Sequence, residues 1–371
     1  MSIIIFALLF LVGCLGAMAW QSARYGKQWF QNFGVEVAFS EEQVGEGDTV
    51  YLYETVTNDK DMILPAVCVK FKTSRHLSFG DLVGGAVSDY FYRNDVLSVR
   101  EYEKVRRKLK CKCTKRGEYW IKEAEIVGND YFLRNKYLEK IEVDAHLIVY
   151  PAMLSVERIV PVFQKSYGEM RTQIPMFEDP FEYVGVRDYM PGDSMGRIHW
   201  KASARTGIWQ VKTSAYTAAE PVVILLNLES PGTFINYNAM EENIRIAYSL
   251  LYYLDQQGVL TTLVVNGDET LRLSGNGRGH MSQVRRRLAT VSYEKVTKKG
   301  QEMIARERDT LSPTQHVFFV SSAAKPETQT QLSELIQRGH SVTWVATIFG
   351  GEDDTKDMAP GLEPYLYRWK G

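Results

Sequence analysis

The chain has 371 residues, with 44 Lys and Arg against 45 Asp and Glu, so no overall field draws it to nucleic acid. Its length calls for two or three domains with real cores. The four cysteines are Cys14, Cys68, Cys111 and Cys113. The last two have one residue between them and no second half-site, which excludes a C-x2-C zinc site and argues for free thiols in a reducing compartment.

The first element is "IIIFALLFLVGCLGAMAW", Ile3 to Trp20, an uncharged run that at 1.5 Å per residue nearly spans a hydrocarbon core of about 30 Å. A transmembrane anchor over residues 1–22 is expected. Met1-Ser2 lacks the basic n-region of a signal peptide. "LVGC" at Leu11–Cys14 resembles a lipoprotein box, yet the apolar run continues past it, and retention, cleavage or lipidation at Cys14 stay open. Arg24 and Lys27 follow the run and no cation precedes it, so the positive-inside bias puts the soluble domains in the cytoplasm, with Trp20 and Tyr25 at the interface.

Residues 34–150 alternate with period two over Asp48–Asn58, Leu64–Thr73, Tyr119–Gly128 and Ala145–Pro151, broken by Gly, Asn and Asp turns. That pattern predicts a β-sandwich domain. Within it Arg100–Arg116 holds nine basic residues and two acidic. Interleaved Val105, Leu109 and Cys111 make the cations one solvated strand face, with contact to anionic lipid as the alternative.

Residues 151–217 form a connecting segment in which Gly192-Asp193-Ser194-Met195-Gly196 spells the G-x-S-x-G of a nucleophile elbow. A true elbow needs a buried apolar strand entering the Ser and a long helix leaving it. Arg187, Asp188 and Pro191 stand where that strand should be, and Gly207 follows too soon. The expected element is a turn at Pro191-Gly192, then a short helix capped by Asp193 or Ser194 with Ile198, Lys201, Ala202 and Arg205 on one face. Trp200 and Arg205 are expected to anchor it by burial and by multiple hydrogen bonds.

From residue 218 to 371 the pattern changes to apolar strands at Pro221–Leu228, Leu260–Gly267, His316–Ser322 and Ser341–Phe349, alternating with helices at Ala239–Gly258, His280–Thr290 and Glu327–Gly339. This predicts an α/β domain, a doubly wound parallel sheet with helices on both faces. Ligands of such sheets bind at the strands' carboxyl ends, which makes Asn227, Glu229, Ser230, Asn266 and Asp268 the residues to weigh.

"RDYMPGDSMGRIHWKASARTG" resembles the signature of the bacterial DUF58 family (domain of unknown function 58), whose pattern is R-x-Y-x-P-G-D, R-x-I-x-W-K and A-R-T. Arg187, Tyr189, Pro191, Gly192, Asp193, Arg197, Ile198, Trp200, Lys201, Ala204, Arg205 and Thr206 carry the likeness. "RGEYWI" (Arg116–Ile121) and "IVYP" before the signature fit it as well, and the resemblance runs over roughly residues 45–320. It implies a membrane-anchored protein with a von Willebrand factor A-like domain after the signature, and a MoxR-type AAA+ ATPase and transglutaminase-like proteins as company. Two features depart from it: one membrane helix instead of two, and Asp130-Tyr131-Phe132-Leu133 in place of D-P-F-G.

A-like domains that hold a metal use D-x-S-x-S at the end of their first strand, where hard oxygens ligate Mg2+. Asn227, Glu229 and Pro231 stand at those positions, and Glu229 and Ser230 would leave a continuing strand on opposite faces. No metal, no cofactor and no catalytic residue is therefore expected. The reading is a non-enzymatic membrane scaffold that docks a protein partner such as the ATPase. Its alternative is a hydrolase or metal-dependent enzyme using Asp193, His199 and Lys201, a cluster that a capping and salt-bridge network explains better.

Overall fold

The computed structural model describes the chain apart from residues 1, 81–89, 168–184, 191–194, 196–197, 214–220, 233, 297, 313–314 and 349–357. It divides into two compact units, Met1–Ala152 and Met153–Gly371.

The first unit begins with α1 (Ser2–Gln28), whose residues from Ile4 onward are apolar and long enough to cross a membrane. The helix outruns the expected anchor because its last turns are part of the domain: Tyr25 and Trp29 belong to the apolar core. Tyr25 is thus buried, not interfacial, packed against Tyr131 and Tyr137. Trp29 lies over Gly128, where a Cβ would come within 2.4 Å of the indole. Only glycine permits that approach.

Nine strands follow: β1 (Phe33–Phe39), β2 (Gln43–Gly45), β3 (Thr49–Asn58), β4 (Leu64–Ser74), β5 (Leu77–Ser78), β6 (Tyr90–Val99), β7 (Glu103–Cys113), β8 (Gly117–Asn129) and β9 (Lys136–Tyr150). They make a sheet of order β1-β3-β7-β5 and another of order β2-β9-β8-β4-β6. Both sheets send alternate residues into one core, for example Leu52 and Cys111 from the first and Val69, Ile126 and Leu147 from the second. That is a sandwich-like arrangement, and the period-two pattern is its cause. On β7 the cations Lys104, Arg106, Lys108, Lys110 and Lys112 are all exposed, while Leu109, Cys111 and Cys113 face inward. Arg106 and Lys108 cover the rings of Tyr53 and Tyr51.

In the second unit α2 (Val156–Tyr167) precedes a small hairpin, β10 (Gly185–Asp188) with β11 (Gln210–Thr213), that brackets α3 (Trp200–Thr206). The main sheet comprises β12 (Val222–Asn227), β13 (Thr261–Asn266), β14 (Thr270–Gly275), β15 (His316–Ser321), β16 (Ser341–Ile348) and β17 (Leu366–Lys370), interleaved with α4 (Tyr237–Gln256), α5 (Gly277–Thr290), α6 (Gly300–Arg308) and α7 (Pro326–Gln337). Its order is β14-β13-β12-β15-β16-β17. All neighbours run parallel except the edge pair β13–β14.

The inner strands are buried on both faces, so they read as unbroken apolar runs. Val222, Ile224 and Leu226 join α2, α4 and α5 in one apolar cluster, whereas Val223 and Leu225 join α6 and α7 in another. Chain order runs outward from β12 to β13, then returns through β15 on the other side. That reversal is a topological switch point, where the carboxyl ends of β12 and β15 leave a crevice.

Candidate functional site

At that crevice three strands end on polar residues with no exposure: Asn227, Asn266 and Ser321. The Asn227 amide donates to Ser321 Oγ at 2.9 Å and its Oδ1 accepts from the Asn266 amide at 2.5 Å. Asn266 in turn accepts from the Leu228 amide at 2.7 Å and donates to the Lys298 carbonyl at 3.0 Å. Ser321 closes the circuit by donating to the Ala323 carbonyl at 2.9 Å. Buried amides are stable only when so paired.

Glu229 joins this network through its backbone amide, which donates to Asn227 Oδ1 at 3.2 Å. The strand has ended at Asn227, so Glu229 turns toward α6 and accepts from the Gly300 amide at 2.9 Å, while Lys325 Nζ stands 2.7 Å from its other oxygen. A carboxylate at a helix N-terminus is favourably placed. Gly300 is obligatory here, because a Cβ would lie 2.7 Å from the Asn227 amide nitrogen.

Ser230 does not join Glu229: its hydroxyl donates to the Phe234 carbonyl at 2.7 Å. Asp268 is exposed and bonds the Ser292 amide. The donors at the strand end are thus a neutral amide already committed, a carboxylate paired with the chain's own ammonium, and a proline. They do not fit a divalent ion, which needs several free hard oxygens with net negative charge. No group of three or more His, Cys, Asp or Glu able to hold a metal occurs among the described residues.

The signature segment is built differently from the sequence expectation. Pro191, Gly192, Asp193, Ser194 and Arg197 lie outside the described residues, as does the Arg187 side chain. The helix starts at Trp200 and its cap is His199, whose Nδ1 accepts from the Ala202 amide at 2.9 Å. A ring nitrogen that accepts there carries no proton, so the hydrogen of the neutral imidazole sits on Nε2. Gly207, at φ 72°, ends the helix in the left-handed conformation.

Asp188 pairs with Gln210 across the hairpin, and the Gln210 side chain donates to the Asp188 carboxylate. Ser203 Oγ donates to the His199 carbonyl at 3.0 Å and accepts from the Gln210 amide at 2.8 Å. Tyr189 packs edge-on against Trp209, and buried Ile198 bridges to Val211. Ser203 and Gln210 were invisible to motif reading, since no signature letter marks them. Trp200 is 65% exposed, which overturns its role as a buried plug. Lys201, Arg205 and Thr206 are exposed with it.

Strand-end network and signature both fall in one matched stretch. Residues 185–346 match the family described as protein of unknown function DUF58. The DUF58 match runs from β10 into β16 and leaves the first unit outside it, narrower than the sequence resemblance. No curated protein matches the chain. Among solved structures, a non-cellulosomal cohesin from the archaeon Archaeoglobus fulgidus is similar at 8% identity, covering 32% of this chain and 91% of that one with a TM-score of 0.23. The CARDB domain of a Pyrococcus furiosus protein, in complex with di-metal ions, overlaps at 14% identity, 32% and 90% coverage and a TM-score of 0.22. Neither overlap bears on function.

Proposed function

We propose that this chain is a membrane-anchored, non-enzymatic scaffold of the DUF58 type. In this reading α1 spans the membrane, the two units lie in the cytoplasm, and the second unit is a von Willebrand factor A-like domain that docks a protein partner, a MoxR-type AAA+ ATPase first and a transglutaminase-like protein second. The A-like assignment is supported by the parallel sheet with its switch point at β12 and by Asn227 where a metal-binding relative would place Asp.

The observation that carries the docking is the surface of the signature hairpin. Met190, Met195, Trp200, Ile208 and Trp209 are all exposed large apolar side chains on one short segment, beside exposed Lys201 and Arg205. Exposed aromatic anchors together with cations are what interface centres use, and exposed large apolar side chains are costly on a surface that meets only water. An acidic-rimmed partner fits it. The hydrolase alternative lacks comparable support, because His199 Nδ1 is spent on a helix cap and Lys201 projects from an exposed helix face.

The test is binding of a purified MoxR-type AAA+ ATPase from the same organism to the full chain in detergent. Binding should fall at least about tenfold for Trp200→Ala with Trp209→Ala, the loss of one hot-spot anchor. Absence of binding, or binding indifferent to both tryptophans, overturns the reading.

A further inference from the structure

The turn between β8 and β9 has features that folding does not explain. Phe132 and Leu133 stand exposed at its tip, Leu133 at 63%, beside Tyr131, whose ring packs edge-on against Tyr25. Leu133 also has φ of +56°, a left-handed conformation that a branched aliphatic residue adopts at a cost and that Gly or Asn would take freely. In water this turn is doubly unfavourable.

Yet the turn is firmly built. Asp130 accepts from Ser22 Oγ of α1 at 2.8 Å, from the Arg134 amide at 2.9 Å and from the Asn135 side chain at 3.0 Å. Asn135 also donates to Ser22 Oγ at 2.6 Å, and the Tyr137 hydroxyl to the Ser22 carbonyl at 3.1 Å. Burial pushes the Asp130 carboxyl up, but these bonds outweigh it and hold it below the usual carboxylate range. The clamp is therefore ionised and locked at neutral pH.

What the clamp does is set the height of the turn along α1. Phe132 lines a groove with Leu15 and Met18 of the helix, and Arg134 and Lys136 line the same groove beside Ser22. Leu15 lies five residues before Trp20, so at 1.5 Å per residue the groove reaches about 7 Å into the apolar run. A groove that begins within the apolar run and carries Phe132 together with two cations has the make-up of a lipid-interface contact, an apolar group for acyl chains and cations for phosphates.

We infer that the Tyr131–Leu133 turn is a second membrane-contacting element, which sinks Phe132 and Leu133 into the leaflet beside α1 while Arg134 and Lys136 meet lipid phosphates. The inference rests on α1 spanning the membrane. Two contacts in place of one fix the tilt of the first unit against the membrane, because α1 is seated in that unit's core and cannot tilt in the bilayer without moving the turn.

The experiment places an environment-sensitive NBD label at Leu133→Cys, Phe10→Cys or Glu41→Cys of the full chain carrying Cys14→Ser, in phosphatidylcholine–phosphatidylglycerol vesicles containing nitroxide lipid. Cys68, Cys111 and Cys113 are buried and escape labelling. Phe10 reports the span, and Glu41 lies beyond the far end of β1. Expected is blue-shifted, quenched emission at positions 10 and 133 and none at 41, with the shift at 133 reduced by Arg134→Glu with Lys136→Glu. A lipid-like signal at 10 with a water-like signal at 133 overturns the wedge and leaves the span standing. A water-like signal at both overturns the span, and the wedge with it. A signal at 133 unmoved by the charge reversals overturns the phosphate contact.

Discussion

Lys325 and Glu229 form a charged contact at the switch-point crevice whose two partners differ sharply in exposure, 38% for the lysine side chain and 12% for the carboxylate. Removing the cation leaves a mostly buried charge supported by a single amide. Lys325→Met should therefore destabilise the second unit by about 1–2 kcal/mol, and Glu229→Gln in the same chain should recover part of it. Denaturant melts of the single and double variants decide the matter: additive losses would mean the two residues do not work as a pair. The same crevice gives the metal prediction. Calorimetric titration of the full chain with Mg2+ and Mn2+ should show no saturable binding tighter than about 1 mM, and binding abolished by Asn227→Ala would show the strand end to be misread.

A second residue makes a pH prediction. His316 is buried at the start of β15 between Ser341 and Thr343, at 2.8 and 3.0 Å from its two ring nitrogens. Burial pushes its pKa down from 6.5 to about 3. The unfolded chain thus binds a proton that the folded one refuses, so stability from this group is whole above the unfolded pKa and is lost as pH falls through 6.5 toward 3. His316→Gln should flatten that acid-side slope. An unchanged slope would assign the loss to other groups.

At the scale of elements, the α3 cap separates a structural residue from a surface one. His199→Ala should cost about 0.5–2 kcal/mol through loss of the bond to Ala202, whereas Trp200→Ala should change stability by less than about 0.5 kcal/mol, as exposed positions do. Equal thermal shifts for the two would restore the indole to a core role. This pair also shows what was legible. Helix and strand periods announced the sandwich and the α/β sheet, since buried strands are apolar runs and half-buried strands alternate. The strand-end residues Asn227 and Glu229 were legible too, because strand carboxyl ends are predictable positions. Lys325 and Gly300 were not: each reaches the crevice from a distant part of the chain, and nothing in its local sequence marks it, whereas Ser321 ends a strand that the sequence also announced and was passed over. The helix cap was misplaced because Asp193 and Ser194 are better caps by propensity than His199, and the strand pairing of Ile198 with Val211 overrode propensity. β14 went unseen because its alternation lies just after a strand of unbroken apolar residues, joined by a short turn at Gly267 and Asp268.

For the whole molecule, the proposed span leaves the side of the membrane to be set. Arg24 and Lys27 follow the apolar run, and flanking cations of this kind bias a span toward a cytoplasmic carboxyl side. The first unit adds to that bias: it presents Arg134 and Lys136 next to α1 and a row of five exposed cations on β7, and the cytoplasmic leaflet, rich in anionic lipid, favours such charge by about 1 kcal/mol for each cation that reaches its surface. Because the end of α1 is seated in the core of the first unit through Tyr25 and Trp29, there is no flexible linker in which a protease could cut between span and domain. Proteinase K added to intact spheroplasts should then leave the chain full length. Added to inverted membrane vesicles it should remove the soluble units, with Trp29 itself protected longest by its burial on Gly128. The reverse pattern, digestion from outside and protection in inverted vesicles, would put both units on the other face and return the "LVGC" lipoprotein reading or a cleaved leader to first place.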